Sequence, residues 1–465
     1  MTGKSKPAPP AHAEAPVPPD RGVRRSLPLL GDLLAFRADR LGFLTRLARE
    51  RGDAVPFRLG PYRVWLLAHP DHVHDVLVAH ADRFRKGPVL QRARLVLGDG
   101  LLTAEAEAHR RHRSMVQPAF HSGRIAGYAE TMIDQAARTA DRWHAGAPVD
   151  LHAETVRLTL ASAGSALLGA DVDSDVPVVE AAIADLLAAY RLAFVPFGWH
   201  LQRLPVGPAR RLARGRKALH GLVDRVIAQR RAASSDDGDL LAALVRAGEL
   251  SDAEIRDHAV TLLLAGHETT ANALAFAFDL LAQDPDAERT LHAEVDGVLG
   301  GAAPTPDHAG RLPYCRAVIS EALRMYPPSW AMGRQALDEH PVPAGVIAPG
   351  DLVVVPQWVV HRDPRWWPEP DRFRPDRWLG RGRGDRPRWA YFPFGAGLRR
   401  CIGEGFAWTE ATLALATIAS RWRMRPVPER PVRLDPVITL RPRDGVWLRP
   451  EPRGPHAGPS GYQAA

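Results

Sequence analysis

The chain has 465 residues, of which 45% are hydrophobic and 25% charged. That balance supports a sizeable packed core and excludes a fibrous or wholly disordered protein. The net charge of +8 comes almost entirely from arginine, Lys4, Lys6, Lys86 and Lys217 being the lysines, and it is spread along the chain without a nucleic-acid-binding motif. Cys315 and Cys401 are too few for a disulfide framework, which points to a reducing, cytoplasmic setting.

Residues 1–25 are rich in Pro and Ala and lack the apolar run of a signal peptide or a membrane anchor, so they read as a disordered tail. Helical spacing follows in SLPLLGDLLAF and LGFLTRLARERGD. VPFRLGPYRVWLLAHP then reads as a hairpin turning at Gly60-Pro61. Helical patterns dominate from about residue 105 to 300, broken at residues 195–208, where glycines, prolines and aromatics predict a mobile loop. The apolar stretch Ala259 to Leu281 carries His267, Glu268, Thr269, Thr270 and Asn272, which argues for a buried helix over a membrane span. A second β segment spans residues 342–360. Irregular, Pro-rich chain runs to Pro393, a helix covers 404–422, and VITLRP is strand-like. The expectation is a mainly α protein with small β-sheets: one domain over residues 26–452, followed by a flexible tail over 453–465.

The chemistry concentrates in FPFGAGLRRCIG, residues 392–403. A thiolate is a soft metal ligand, best tolerated where backbone N–H groups, a helix N-terminus and cations converge. Here Gly395, Gly397 and Gly403 permit tight turns, Arg399 and Arg400 supply charge, and a helix starts just beyond Cys401. Two rivals fail. A zinc-protease motif starting at His267-Glu268 would need a second histidine where Ala271 stands, and a dinucleotide fingerprint from Gly395 would need glycine at Arg400.

Phe394, Gly397, Arg399, Cys401 and Gly403 fill every position of the signature Phe-x-x-Gly-x-Arg-x-Cys-x-Gly, so the chain resembles the cytochrome P450 family from about Ser26 to Leu448. The resemblance implies the P450 fold, with haem b (iron protoporphyrin IX) between the long central helix and the cysteine loop, and Cys401 as the iron's thiolate ligand. Other motifs follow in the family's order. Glu321 and Arg324 in EALR, with Arg377 in FRPDRW, match its structural ion-pair network, Trp378 standing where the family often has Phe. LLLAGHETTANAL matches the oxygen-activation segment, in which Glu268 relays protons and Thr269 hydrogen-bonds dioxygen and its water, with Ala265 and Gly266 leaving space. His109, Arg113, Arg334 and His361 match contacts to the haem propionates.

The same resemblance assigns the substrate pocket to segments holding Leu101, Phe194, Leu263, Leu264, Ala265, Trp330, Met332 and Ile438, an apolar set suited to a neutral hydrophobic substrate. The implied function is a soluble haem-thiolate monooxygenase that hydroxylates or epoxidises a small molecule. The overall likeness is to bacterial members that oxidise cyclic terpenes in secondary metabolism, with a fatty acid or polyketide as the alternative substrate and a haem-binding sensor as the non-enzymatic alternative. No flavin or nicotinamide domain is evident, so electrons are expected from ferredoxin and ferredoxin reductase. Arg381, Arg383, Arg386, Arg388, Arg399 and Arg400 would form a basic docking patch for that donor.

Overall fold

A computed structural model describes residues 31–169, 175, 177–182, 185, 207–232, 239–380 and 384–454. The predicted tail over 1–25, pocket residue Phe194, nearly all of the predicted loop 195–208, and Arg381 and Arg383 lie outside the described residues.

The hairpin forms where its turn residues allow it. β1 (Ala54–Leu59) and β2 (Tyr62–Leu67) pair antiparallel with Leu59 opposite Tyr62, and Gly60, at φ +59°, takes the left-handed conformation that the turn needs. The sheet grows by β3 (Phe84–Lys86), β4 (Met332–Ala336) and a later strand, β7 (Leu352–Val355), in the order β1-β2-β7-β4-β3. Val64, Trp65, Leu66, Val353 and Val355 are buried at its centre. A separate small hairpin, β5 (His340–Val342) with β6 (Gly345–Ile347), precedes β7. The β segment expected to continue to residue 360 stops at Val355. Pro356 has no N–H to extend the ladder, and Gln357–Val360 form a helical turn in which Gln357 Nε2 donates to the Phe392 carbonyl at 2.6 Å.

Helices build the larger part. Those that position the site are α1 (Ala106–Val116), α2 (Ser122–Asp141), α3 (Leu151–Leu168), α4 (Asp252–Gln283), α5 (Pro313–Met325) and α6 (Glu404–Arg421). The 32 residues of α4 span about 48 Å at 1.5 Å per residue. Its start is fixed by a capping box between Ser251 and Glu254. α3 lies closely along it. Thr155 and Thr159 hydroxyls donate to the Ala271 and His267 carbonyls, and a Cβ on Gly266 would meet that of Ala163 at 3.7 Å. Among the described residues no helix is long and apolar enough to cross a membrane. A last short hairpin, β8 (Leu434–Pro436) with β9 (Leu440–Pro442), reaches back to α4.

Candidate active site

The cysteine loop is a closed backbone structure. Cys401 N–H donates to the Phe394 carbonyl at 2.9 Å and Gly395 N–H to Phe392 at 2.9 Å, while the Phe394 ring packs against Trp408. Gly395 (φ +74°) and Gly397 (φ +64°) occupy left-handed conformations, and a Cβ on Gly397 would lie 2.2 Å from the Leu77 carbonyl oxygen. Both positions therefore require glycine. Gly403 does not: its φ is −86°, and a Cβ there would make ordinary contacts with Phe120 and the Cys401 sulfur.

Cys401 retains exposed surface, yet protein surrounds it closely enough that burial pushes its thiol up. The Gly403 N–H, Arg113 and Arg400 pull the other way, but burial prevails, aided by Glu404. A bound metal cation is what would deprotonate this sulfur, in keeping with its expected role as a metal ligand.

The cationic side of the site is lopsided. His109 and Arg113 on α1, Lys86 on β3, Arg334 on β4 and Arg399 in the loop crowd together, with Glu105 as the carboxylate that opposes the charges of Lys86, Arg334 and Arg399. Glu105 accepts from the Lys86 backbone N–H at 2.8 Å and ion-pairs with Arg399, while Lys86 Nζ and Arg399 Nη1 both donate to the Ala104 carbonyl. Burial, then the Arg399 charge, presses Lys86 down to about 7, Arg334 to about 10 and His109 to about 3. Arg113 donates to the Arg400 carbonyl at 2.8 Å. A group bearing two carboxylates beside a metal that takes a thiolate fits this donor set, as haem does. Lys86 and Glu105 are additions that sequence reasoning missed, since a lone Lys and Glu carry no motif.

His361 belongs elsewhere. It is fully buried, its Nε2 accepts from the Phe392 N–H at 3.0 Å, and its ring packs on Tyr391 and Phe392. It thus abuts the Glu321–Arg324–Arg377 cluster, where its carbonyl accepts from Arg324 Nη1, and it is withdrawn from the propionate contacts. In that cluster Glu321 receives Arg324 Nε and Nη2, Arg377 Nε, the Arg374 N–H and Trp378 Nε1, all at 2.9–3.1 Å. Trp378, the departure from the usual Phe, adds a hydrogen bond that Phe cannot make.

On α4, Ala265 is exposed between half-buried Leu264 and Gly266, and Glu268 and Thr269 are half-buried as well. At about 100° per residue, Glu268 and Thr269 lie within about 60° of Ala265, whereas Leu263 lies about 160° away. Leu263 is fully buried toward the helical core, which removes it from the pocket lining. Thr269 Oγ1 donates to the Ala265 carbonyl at 2.9 Å, and Thr439 Oγ1, at the β8–β9 turn, donates to Glu268 Oε1 at 2.7 Å. Ile438 is therefore beside this strip, 49% exposed, while Leu101 and Trp330 are buried and Met332 is half-buried against Gly395. Of the expected basic patch, Arg399 points inward and Arg386 stacks 4.4 Å from the Trp367 ring and donates to the Arg377 carbonyl, while Arg388 is exposed and Arg400 is exposed and paired with Glu404.

A family model described as cytochrome P450 matches residues 21–449. The chain is 43% identical to cyclooctatin synthase of Streptomyces melanosporofaciens over 92% of this chain and 94% of that one. It is 38% identical to cyclooctat-9-en-7-ol 5-monooxygenase of the same organism, over 90% and 93%. With pentalenene oxygenase of Streptomyces avermitilis the identity is 36%, over 88% and 92%. Among solved structures, the cytochrome P450DA heme domain superposes with a TM-score of 0.84 at 28% identity, covering 93% of this chain and 97% of that one. The chain belongs to the cytochrome P450 family. It is a haem-dependent monooxygenase that uses dioxygen, a redox partner and a hydrophobic substrate.

Proposed function

We propose that this enzyme oxidises a cyclic terpene in secondary metabolism, using haem b bound through Cys401 and held by Lys86, His109, Arg113, Arg334 and Arg399. The observation that carries the cofactor assignment is Cys401, exposed on its glycine-turned loop near basic groups that outnumber Glu105. When bound, haem supplies the dioxygen and electron-transfer chemistry. The chain's own residues do the rest. The Thr269 proton is committed to the Ala265 carbonyl, so its oxygen is left to accept a hydrogen bond from water. Glu268 is anchored at Oε1 by Thr439, which leaves Oε2 to exchange protons with solvent. Leu264, Ala265 and Ile438 offer apolar contact and keep bulk water from the reacting carbon.

The terpene reading is supported by relatives whose names carry cyclooctat-9-en-7-ol and pentalenene, and by the apolar character of those lining residues. Ferredoxin, reduced by ferredoxin reductase in the cytoplasm, is our proposed electron donor. Leu398, 72% exposed beside Arg400 on the cysteine loop, supports a mixed apolar and basic docking spot there. We read residues 26–452 as one domain.

The test is the carbon-monoxide difference spectrum of the reduced protein. A band near 450 nm, roughly where thiolate-ligated haem of this family absorbs, is expected in the wild type and absent in Cys401→Ala. A band unaffected by that substitution would overturn the ligand assignment. Titration with cyclic terpenes should then give saturable Soret shifts that fatty acids do not.

A further inference from the structure

A second cluster of ligating side chains lies outside the haem site. Asp75 Oδ1 is 2.5 Å from His80 Nδ1, and Asp75 Oδ2 is 2.5 Å from His340 Nε2. The three ligand atoms all lie within 4.8 Å of one another, and this is the one such group of His, Cys, Asp or Glu among the described residues. We infer that Asp75, His80 and His340 form a binding site for a zinc-class divalent cation.

The backbone builds this convergence. Asp75–Ala79 is a π-helical turn, and the His80 N–H donates to the Asp75 carbonyl at 2.9 Å, five residues back. That spacing stacks His80 above Asp75, where an α-helix would rotate it away; π-turns of this kind recur at functional sites. His340 arrives from β5, 3% exposed and wedged against the Phe84 ring at 5.2 Å, so one ligand is rigid and walled on its dry side. The other two keep side-chain exposures of 44% for His80 and 29% for Asp75, which gives an ion an entry path and leaves a position for water. Among the described residues Asp75 ion-pairs with these two rings and with no arginine or lysine.

Two imidazole nitrogens and one carboxylate oxygen are a borderline donor set, suited to Zn²⁺ and poorly suited to Ca²⁺ or Mg²⁺. Ligand distances of about 2.0–2.2 Å put tetrahedral ligand atoms roughly 3.4 Å apart, so each ring needs to move back by about 1 Å to admit the ion. The site also bears on the catalytic loop. Leu77 and Val78, in the same π-turn, are the backbone against which Gly397 closes, so a bound ion braces the seat of the cysteine loop.

The experiment uses the full, haem-loaded chain without a histidine tag. Zn²⁺ is titrated calorimetrically into the wild type, His80→Ala and Asp75→Asn, and thermal unfolding is followed with and without the ion. His80→Ala is the informative variant because the ring is partly exposed and its loss leaves the fold intact, checked by the 450 nm band. One equivalent of Zn²⁺ should bind the wild type and raise its Tm. Each variant should lose about 100-fold or more in affinity, at least the upper end of what removing a supporting residue costs. Equal zinc binding in wild type and His80→Ala would place the ion on other histidines and overturn the site. So would absence of binding, in which case the trio is a carboxylate bridging two imidazoles.

Discussion

Two arginine-rich clusters in this protein bury charge in opposite ways. Around Glu321 the charges are answered within the chain: one carboxylate collects five donors, and the remaining guanidinium protons go to the carbonyls of His361, Pro368, Glu369 and Pro370. In the cluster of Lys86, His109, Arg113, Arg334 and Arg399 the cations outnumber Glu105, and burial pushes Lys86, His109 and Arg334 down. The first arrangement is self-sufficient and serves folding. The second keeps an excess of positive charge that an anionic ligand would balance, which is how a ligand site would differ from a structural ion pair made of the same residue types.

Breaking the closed cluster should have the largest effect. Arg324→Ala leaves Glu321, itself 0% exposed, without its bidentate partner, and should cost about 3–5 kcal/mol of stability, read as a shifted denaturation midpoint and loss of the 450 nm band. In the open cluster, Arg399→Ala should leave the fold standing but weaken haem retention about 10- to 100-fold, the loss of one charge-assisted contact of about 1.5–3 kcal/mol, measured by haem transfer to an acceptor protein. If Arg399→Ala unfolded the chain as Arg324→Ala does, the distinction between the clusters would collapse. Trp378→Phe, which restores the commoner residue, should remove one indole bond to Glu321 and cost roughly 1–2 kcal/mol with haem binding unchanged.

The last effect is a pH slope, spread over several pH units. Burial holds Lys86 at about 7 in the fold, while the unfolded chain keeps its proton to about 10.4. Between those limits the unfolded state binds the extra proton, so the Lys86 contribution makes haem-free protein more stable as pH rises from about 7 to 10. Lys86→Met should flatten that rise in denaturant midpoints, and parallel pH curves for the two proteins would show that the lysine is not crowded.

Much of the candidate site was legible in the chain because it is local. Gly395 and Gly397 sit where the backbone turns left-handed, Cys401 follows within six residues, and Glu268 and Thr269 share a helix face with Ala265 through spacing alone. Contacts between distant segments were not. The pairing of Thr439 with Glu268 spans 171 residues, Arg386 stacks inward where it read as a surface charge, and His361 turns to Phe392. Leu263 is one residue from a lining position, but helical rotation of about 100° per residue sends it into the core.

By itself, then, the sequence determined the loop that presents the thiol, the helix that carries the acid and alcohol, and the presence of arginines enough to hold an anionic cofactor. Only the tertiary structure decided which of those arginines gather around one shared carboxylate and which crowd together in excess of theirs, and that a π-turn brings His80 over Asp75 to meet His340. The physical reason is reach. Turn geometry and helical periodicity act over a few residues and are written in the local order of side chains, whereas charge balance depends on every group within several ångströms in space, wherever it falls along the chain.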